Sequence, residues 1–353
     1  MSRIFSRLLT VACLTVLGSG MVRADPAYVP KFKDQMKQDA AKAAAEKKKG
    51  KKKKPLKQGW IPKLKASFNF SMAQSQGVVG VPDGTTVALG LQLESSVLYR
   101  HGGHEWETSL DILQTQSKIP GLDPFIKSAD RMDIESLYRY MFKRPAWLGV
   151  YAGIGLTTPL FSGNLIKDAD QALDLDGDGT ADATAQAQKP YRLTRPFSPL
   201  MFRQFAGLTA KPLTKPWLTL ETRLGTGATE VWTRSGYVVA DDDSTANLLE
   251  LNPLENYVQG GVEVLVLAEG HLAGKLLTYG FKADVVFPYA TSVETDLKGL
   301  ELTTVDLSVK IAINLAKWAA LTYSLSVVRY PLIVDKWQVA NNLMLSLTAS
   351  VGE

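Results

Sequence analysis

From Trp60 onward the chain alternates apolar and polar residues with a period of two. Leu64, Ala66, Phe68, Phe70 and Met72 alternate with polar neighbours, and Val87, Leu89, Leu91 and Leu93 do the same. The late segments are the cleanest. Val305, Leu307, Val309, Ile311 and Ile313 oppose Thr304, Asp306, Ser308, Lys310 and Asn314, and Leu343, Leu345, Leu347, Ala349 and Val351 oppose Asn342, Met344, Ser346, Thr348 and Ser350. Successive strand side chains point to opposite faces, so this pattern specifies β-strands with one apolar face. Twelve such segments begin near residues 62, 85, 104, 130, 147, 196, 216, 254, 276, 301, 318 and 336.

The connections alternate strictly between long and short. Long ones cover 77–84, 118–130, 162–195, 235–253 and 291–300, with a modest one at 331–336. Between them lie His101–Gly103, Lys143–Ala146, Lys211–Lys215, a turn around Gly270, and Ala316–Lys317. A sandwich with Greek-key connections has no reason to segregate loop lengths, whereas an up-and-down membrane barrel places short turns at one rim and long loops at the other. Trp106, Trp147, Trp217 and Trp318 each follow a short turn, several with an adjacent base, as an interfacial girdle requires. Trp337, with Phe161, Phe287, Tyr289 and Tyr330, suits the opposite girdle. The expected fold is therefore all-β: a transmembrane up-and-down antiparallel barrel of about 12 strands over residues 60–353.

Two N-terminal segments precede it. Arg3 and Arg7 before the apolar run Leu8–Leu17, then Val22-Arg23-Ala24, read as a signal peptide over 1–24 cleaved before Asp25. Residues 25–59 carry twelve Lys against four acids, with an Ala/Lys stretch at Lys37–Lys49 that suits a helix, and read as a periplasmic tail. The formal charge of +5 belongs to these segments, and residues 60–353 are net acidic. That balance argues against nucleic-acid binding by the barrel and leaves the tail to meet anionic phospholipid or cell-wall polymer. No later apolar run is long enough for a spanning helix. The sole cysteine, Cys13, lies in the signal segment, so thiol catalysis and disulfides drop out after cleavage. Export to the outer membrane of a Gram-negative cell, with outer-membrane lipid as the surrounding partner, is the expected location.

Gly103-x-Glu105-Trp106 with Leu110-Asp111, then Ile126-Lys127-Ser128-x-Asp130 leading into Tyr138-x-Tyr140 and Trp147, resembles the front section of an uncharacterised family of bacterial outer-membrane β-barrels, a domain of unknown function. The resemblance covers roughly residues 62–163 and implies a barrel; it carries no activity. Outer-membrane barrels usually end on an aromatic residue, and this chain ends Val351-Gly352-Glu353.

Chemistry-bearing motifs are few. His101, His104 and His271 fall in short turns, and no G-x-S-x-G elbow follows the signal segment, so no enzyme is expected. The longest loop holds Asp174-Leu-Asp176-Gly-Asp178-Gly179-Thr180-Ala-Asp182. Carboxylates at positions 1, 3, 5 and 9, Gly at 6 and a backbone carbonyl at 7 suit Ca²⁺, although position 12 is Ala185 and a replacement such as Asp168 or Asp170 is needed. No cofactor is required otherwise. Asp241–Asp243 is a bare charge run.

Placing each apolar face toward lipid leaves charges of both signs inside: Glu94, Glu105, Glu107, Asp111, Arg131, Asp133, Glu135, Arg139, Glu221, Arg223, Lys282, Asp284, Asp306 and Lys310. Unpaired ions are costly in a dry interior, which favours a hydrated passage, and mixed signs argue against strong selectivity. The expected function is a weakly selective pore or uptake channel for small polar solutes. The alternative is a closed structural or envelope-tethering barrel acting through its tail and calcium loop.

Overall fold

The computed structural model describes residues 58–75, 84–215, 217–239, 248–273, 276–295 and 297–351. The signal segment, the Lys-rich tail up to residue 57, Asp241–Asp243 and the last two residues lie outside them.

Twelve long strands close into one antiparallel barrel. They are β1 (Gly59–Ser75), β2 (Gly84–His101), β3 (His104–Lys118), β4 (Ile126–Met141), β5 (Leu148–Thr158), β10 (Leu200–Lys215), β11 (Leu218–Trp232), β14 (Tyr257–Leu272), β15 (Leu277–Thr291), β16 (Thr304–Asn314), β17 (Ala319–Tyr330) and β18 (Val334–Val351). Each pairs with its barrel neighbours in chain order, and β18 returns to β1. Six further short strands lie in the two longest connections: β6 (Asn164–Leu165), β7 (Gln171–Asp174), β8 (Ala183–Ala185), β9 (Tyr191–Arg192), β12 (Tyr237–Val239) and β13 (Leu248–Pro253).

The barrel is inside-out relative to a soluble protein. Leu91, Ile154, Leu208, Leu224 and Val339 are exposed on its outer face, while Glu107, Arg139, Glu221 and Asp284 are buried within. A closed ladder with an apolar exterior satisfies backbone groups without water, which makes this a transmembrane barrel. Trp60, Trp106, Trp147, Trp217 and Trp318 stand exposed at the rim that carries the short turns and the strand ends nearest both termini. Trp60 packs on Tyr99 at 4.9 Å between centroids and on Trp106 at 6.4 Å. Trp232, Trp337 and Tyr289 are exposed near the other rim.

Two turns differ from the sequence expectation. Residues 211–215 remain in β10, which absorbs Lys211 and Pro212 in a register shift between Ala210 and Leu213, so the chain reverses after Lys215. Gly270 likewise stays in β14, which pairs through Leu272 with Leu277. Pro and Gly were read as turn markers; a bulge accommodates Lys211 and Pro212 instead, while Gly270 pairs in regular register with Tyr279, where only Gly leaves room for the Trp217 carbonyl. His271 therefore sits in a strand, while His101 and His104 end and begin β2 and β3 around Gly102–Gly103.

The long loops are not open coil. β12, β13, β7 and β8 form a four-stranded sheet, with β13 parallel to β7, and β6 pairs with β9. Leu165, Leu173, Ala185, Leu193, Leu249 and Leu251 are buried together, so the 159–199 and 233–256 connections share a small apolar core. Asp130 anchors this module to the wall, because its carboxylate accepts the N–H groups of Leu160 and Phe161 and pairs with Lys127 Nζ at 2.9 Å.

Candidate functional site: the barrel lumen

Strand parity places Glu94, Asp111, Asp133, Glu135, Arg139, Glu221, Arg223, Lys282, Asp284, Asp306 and Lys310 on the lumen side of the wall. They are unevenly distributed around it. Lys211, Arg203, Glu263 and Glu269 join them, although the sequence reading did not single these out.

Near the short-turn rim, Arg139 meets Glu105 at 3.3 Å, Glu107 at 3.1 Å and Glu221 at 3.6 Å. Arg223 holds the other Glu221 oxygen at 2.6 Å, Lys211 lies 3.8 Å from Glu221, and Arg100 pairs with Glu105 at 2.9 Å. Farther along the axis, Arg203 bridges Glu263 at 3.0 Å and Asp284 at 3.6 Å, and Lys282 reaches Asp306 at 2.9 Å. Arg131 pairs with Asp133 at 2.5 Å. Dry burial of ions requires this degree of mutual compensation.

Between the two networks the lumen is apolar. Leu137, Tyr151 and Phe205 form a buried cluster, with the two rings 6.1 Å apart. Arg223 lies over Tyr151 at 5.4 Å and Arg203 over Phe205 at 5.8 Å, so each network is tied to the cluster by a cation–π contact. Glycines on the same wall make room for these rings. A Cβ on Gly153 would come within 2.5 Å of Phe205, and one on Gly225 within 2.6 Å of the Tyr151 hydroxyl. The walls of β3, β4, β5, β10 and β11 therefore carry a filled half-lumen.

The opposite wall has different chemistry. Inward positions on β17, β18 and β1 are mostly small and neutral: Thr322, Ser324, Ser326, Ser346, Thr348, Ser350, Ser67 and Asn69. Ser67 and Thr348 hydroxyls lie 3.0 Å apart across the β1–β18 junction. The nearest charged pair on this side is Lys65 with Glu94 at 2.5 Å, and these side chains keep 29% and 22% of their surface accessible, against 5% and 0% for Arg139 and Glu221, although Arg203 and Lys211 of the other wall keep 28% and 20%. Of the small neutral residues, Ser324, Ser346, Thr348 and Ser350 keep accessible surface, while Ser67, Asn69, Thr322 and Ser326 are buried. Small Ser and Thr on clean period-two strands were visible in the sequence; their clustering on one side needed the closed strand order.

The acidic loop folds as a tight turn between β7 and β8. Asp174 is buried, and burial opposes its ionisation, but N–H groups of Gly177, Gly179 and Asp176 donate to its carboxylate and hold its pKa below the ordinary value. Asp174, Asp176 and Asp182 each bring an oxygen within 4.8 Å of the others. Asp178 is turned onto the Thr180 hydroxyl at 2.7 Å, and Ala185 lies in the loop core, where it supplies no side-chain ligand at position 12. Asp170 accepts the Ala187 N–H. The donor set suits a hard cation at Asp174, Asp176 and Asp182 with backbone or water oxygens completing the shell.

No family model matches the chain, and no curated protein matches it. Among solved structures, the translocator domain of autotransporter NalP from Neisseria meningitidis aligns with 83% of this chain and 88% of its own, at 7% identity and TM-score 0.38. The beta domain of the Bordetella autotransporter Brka aligns over 83% and 98%, at 11% identity and TM-score 0.34. An outer membrane channel from Pseudomonas putida F1 aligns over 84% and 96%, at 10% identity and TM-score 0.37.

Proposed function

We propose that the protein is an outer-membrane pore for small polar solutes whose water passage runs off axis, along β17, β18, β1 and β2. The observation that carries this reading is the division of the lumen into a half packed with aromatic rings and interlocked charges and a half lined by small Ser, Thr and Asn residues around the Lys65–Glu94 pair. A twelve-stranded barrel is wider than those whose side chains fill the interior and narrower than open sixteen-stranded porins, so filling one side leaves a narrow bore. Because the buried charges neutralise one another, the accessible wall offers little net field, and selectivity between cations and anions is weak. Outer-membrane placement is supported by the transmembrane barrel together with the export signal in the sequence.

Purified protein in planar bilayers should give small conductance steps. Ser346→Trp, which puts a large ring into the passage, should remove most of that conductance while the barrel still shifts on heating in gel electrophoresis. Conductance unchanged by this substitution would contradict the passage. Arg223→Glu is a poor probe of the bore, since Arg223 is locked against Glu221 and a second carboxylate there would break the fold.

The specific alternative is a closed barrel, favoured by the fully buried Glu221. It predicts no conductance and no solute flux from a correctly folded sample. In either case the acidic turn is proposed to bind Ca²⁺, ordering the loop module. Calorimetry should show Ca²⁺ binding that Asp176→Ala/Asp178→Ala abolishes; identical titrations of the two proteins would contradict a specific site.

A further inference from the structure

The junction between β1 and β18 is zipped along only part of its length. Among the described residues their register runs from Leu64↔Val351 to Phe70↔Leu345, seven residue pairs, and goes no further. Both strands continue beyond it. β1 remains paired with β2 to Ser75↔Gly84, and β18 remains paired with β17 to Val334↔Tyr330. Two intact hairpins thus part company above Phe70 and Leu345, at the rim opposite the termini. Among the described residues the unzipped stretch sets Ser71–Ser75 against Ala340–Met344, five residues that rise roughly 13 Å along the barrel axis at ordinary strand spacing and tilt, about the depth of one leaflet.

Exposure reports the same parting independently. In a wall paired on both sides, inward and outward residues alternate in accessibility; on β18, Asn341, Asn342 and Leu343 are all exposed in succession. Asn342 faces the lumen opposite Ser324, so Asn341 faces the membrane. A bare amide facing hydrocarbon is unfavourable without a polar partner, and backbone groups at such an edge carry the same cost. Outside the seam stand Met72 and Leu343, both well exposed and apolar. Inside it lie Asn69 and Ser346, which belong to the proposed passage.

We propose that the wall is a lateral entrance above Phe70 and Leu345, through which single-chain amphiphiles with neutral polar headgroups pass between membrane and lumen. An acyl chain matches the apolar flank, and a headgroup rich in hydrogen-bonding atoms satisfies the Asn amides and the free strand edges. The inward residues beside the unzipped stretch are Asn342, Ser324 and Asn69, and the charges on this side, Lys65 and Glu94, pair with each other, so the lining favours a headgroup without net charge. This inference rests on the passage described under the proposed function, and its test separates the two.

In a Cys13→Ser background, bimane placed at Asn342→Cys or Thr348→Cys reports two lumen-facing positions of β18, one beside the unzipped stretch and one within the zipped stretch. In phosphatidylcholine vesicles carrying lysophosphatidylcholine with a nitroxide on its chain, bimane at 342 should be quenched several-fold more than at 348. Equal quenching at the two positions, or none at either, would overturn the lateral entrance whether or not the pore conducts. In bilayers, unlabelled lysophosphatidylcholine should reduce conductance, and a disulfide between Ser71→Cys and Met344→Cys should abolish that block reversibly while leaving conductance itself intact. The control bridge, Ser67→Cys with Thr348→Cys, joins positions already in contact and should leave the block in place. Block that survives the upper bridge would also overturn the proposal.

Discussion

Glu221→Gln should destabilise the barrel by about 3 kcal/mol or more, because removing one partner from a buried ion cluster leaves its counter-ions uncompensated. Glu221 is fully buried and serves Arg139, Lys211 and Arg223 together. The neutral amide fills the same space but returns no charge, so the loss is electrostatic rather than steric. Denaturant midpoints in detergent micelles measure it, with the heat-modified gel shift as a second readout. Glu94→Gln is the contrast: its Lys65 partner is accessible to water, and accessible pairs contribute less than about 1 kcal/mol. Comparable losses at both positions would mean that the lumen is uniformly wet or uniformly packed.

Phe205→Ala should cost roughly 3 kcal/mol in stability and raise conductance several-fold. The ring belongs to the cluster that separates the two ionic networks, and it packs into space left by Gly153. Its removal leaves a cavity flanked by Arg203 and Tyr151, polar enough to admit water, and joins the filled half-lumen to the passage. Bilayer recording on the folded variant checks the second effect. A destabilised protein with unchanged conductance would show that the cluster packs the wall without closing the bore.

These two residues mark where the sequence was legible and where it was not. The strand pattern needs only local chemistry: Val305 to Ile313 and Leu343 to Val351 state their faces by parity alone, and the alternating connection lengths follow from the two environments at the rims. Glu221 and Arg223 could be assigned to the lumen on the same grounds. Their union with Arg139 and Lys211 could not, because it joins three strands through a closed order and a bulge at Ala210 and Leu213. For that reason the expectation that inward charges imply water held up poorly around Glu221, where pairing is extensive enough for dry burial. Phe205 broke the polar-inside rule and was passed over; the inward glycines at 153, 225 and 227 were the available signal, since they leave space that a ring must fill. The loop module was hidden for another reason. Its apolar residues, such as Leu173 and Leu249, lie in short strands too brief for a periodic signal and distant in sequence from one another.

The central claim is that the open side of the lumen lies along β17, β18, β1 and β2. Thiol modification during single-channel recording tests it most directly. In the Cys13→Ser background, a charged methanethiosulfonate reagent should react with Ser324→Cys and Thr348→Cys and cut conductance sharply at each, while Leu137→Cys, in the filled half, stays unmodified and conducts as before. Rapid modification at Leu137→Cys with none at Ser324→Cys or Thr348→Cys would place the passage on the opposite side and contradict the account.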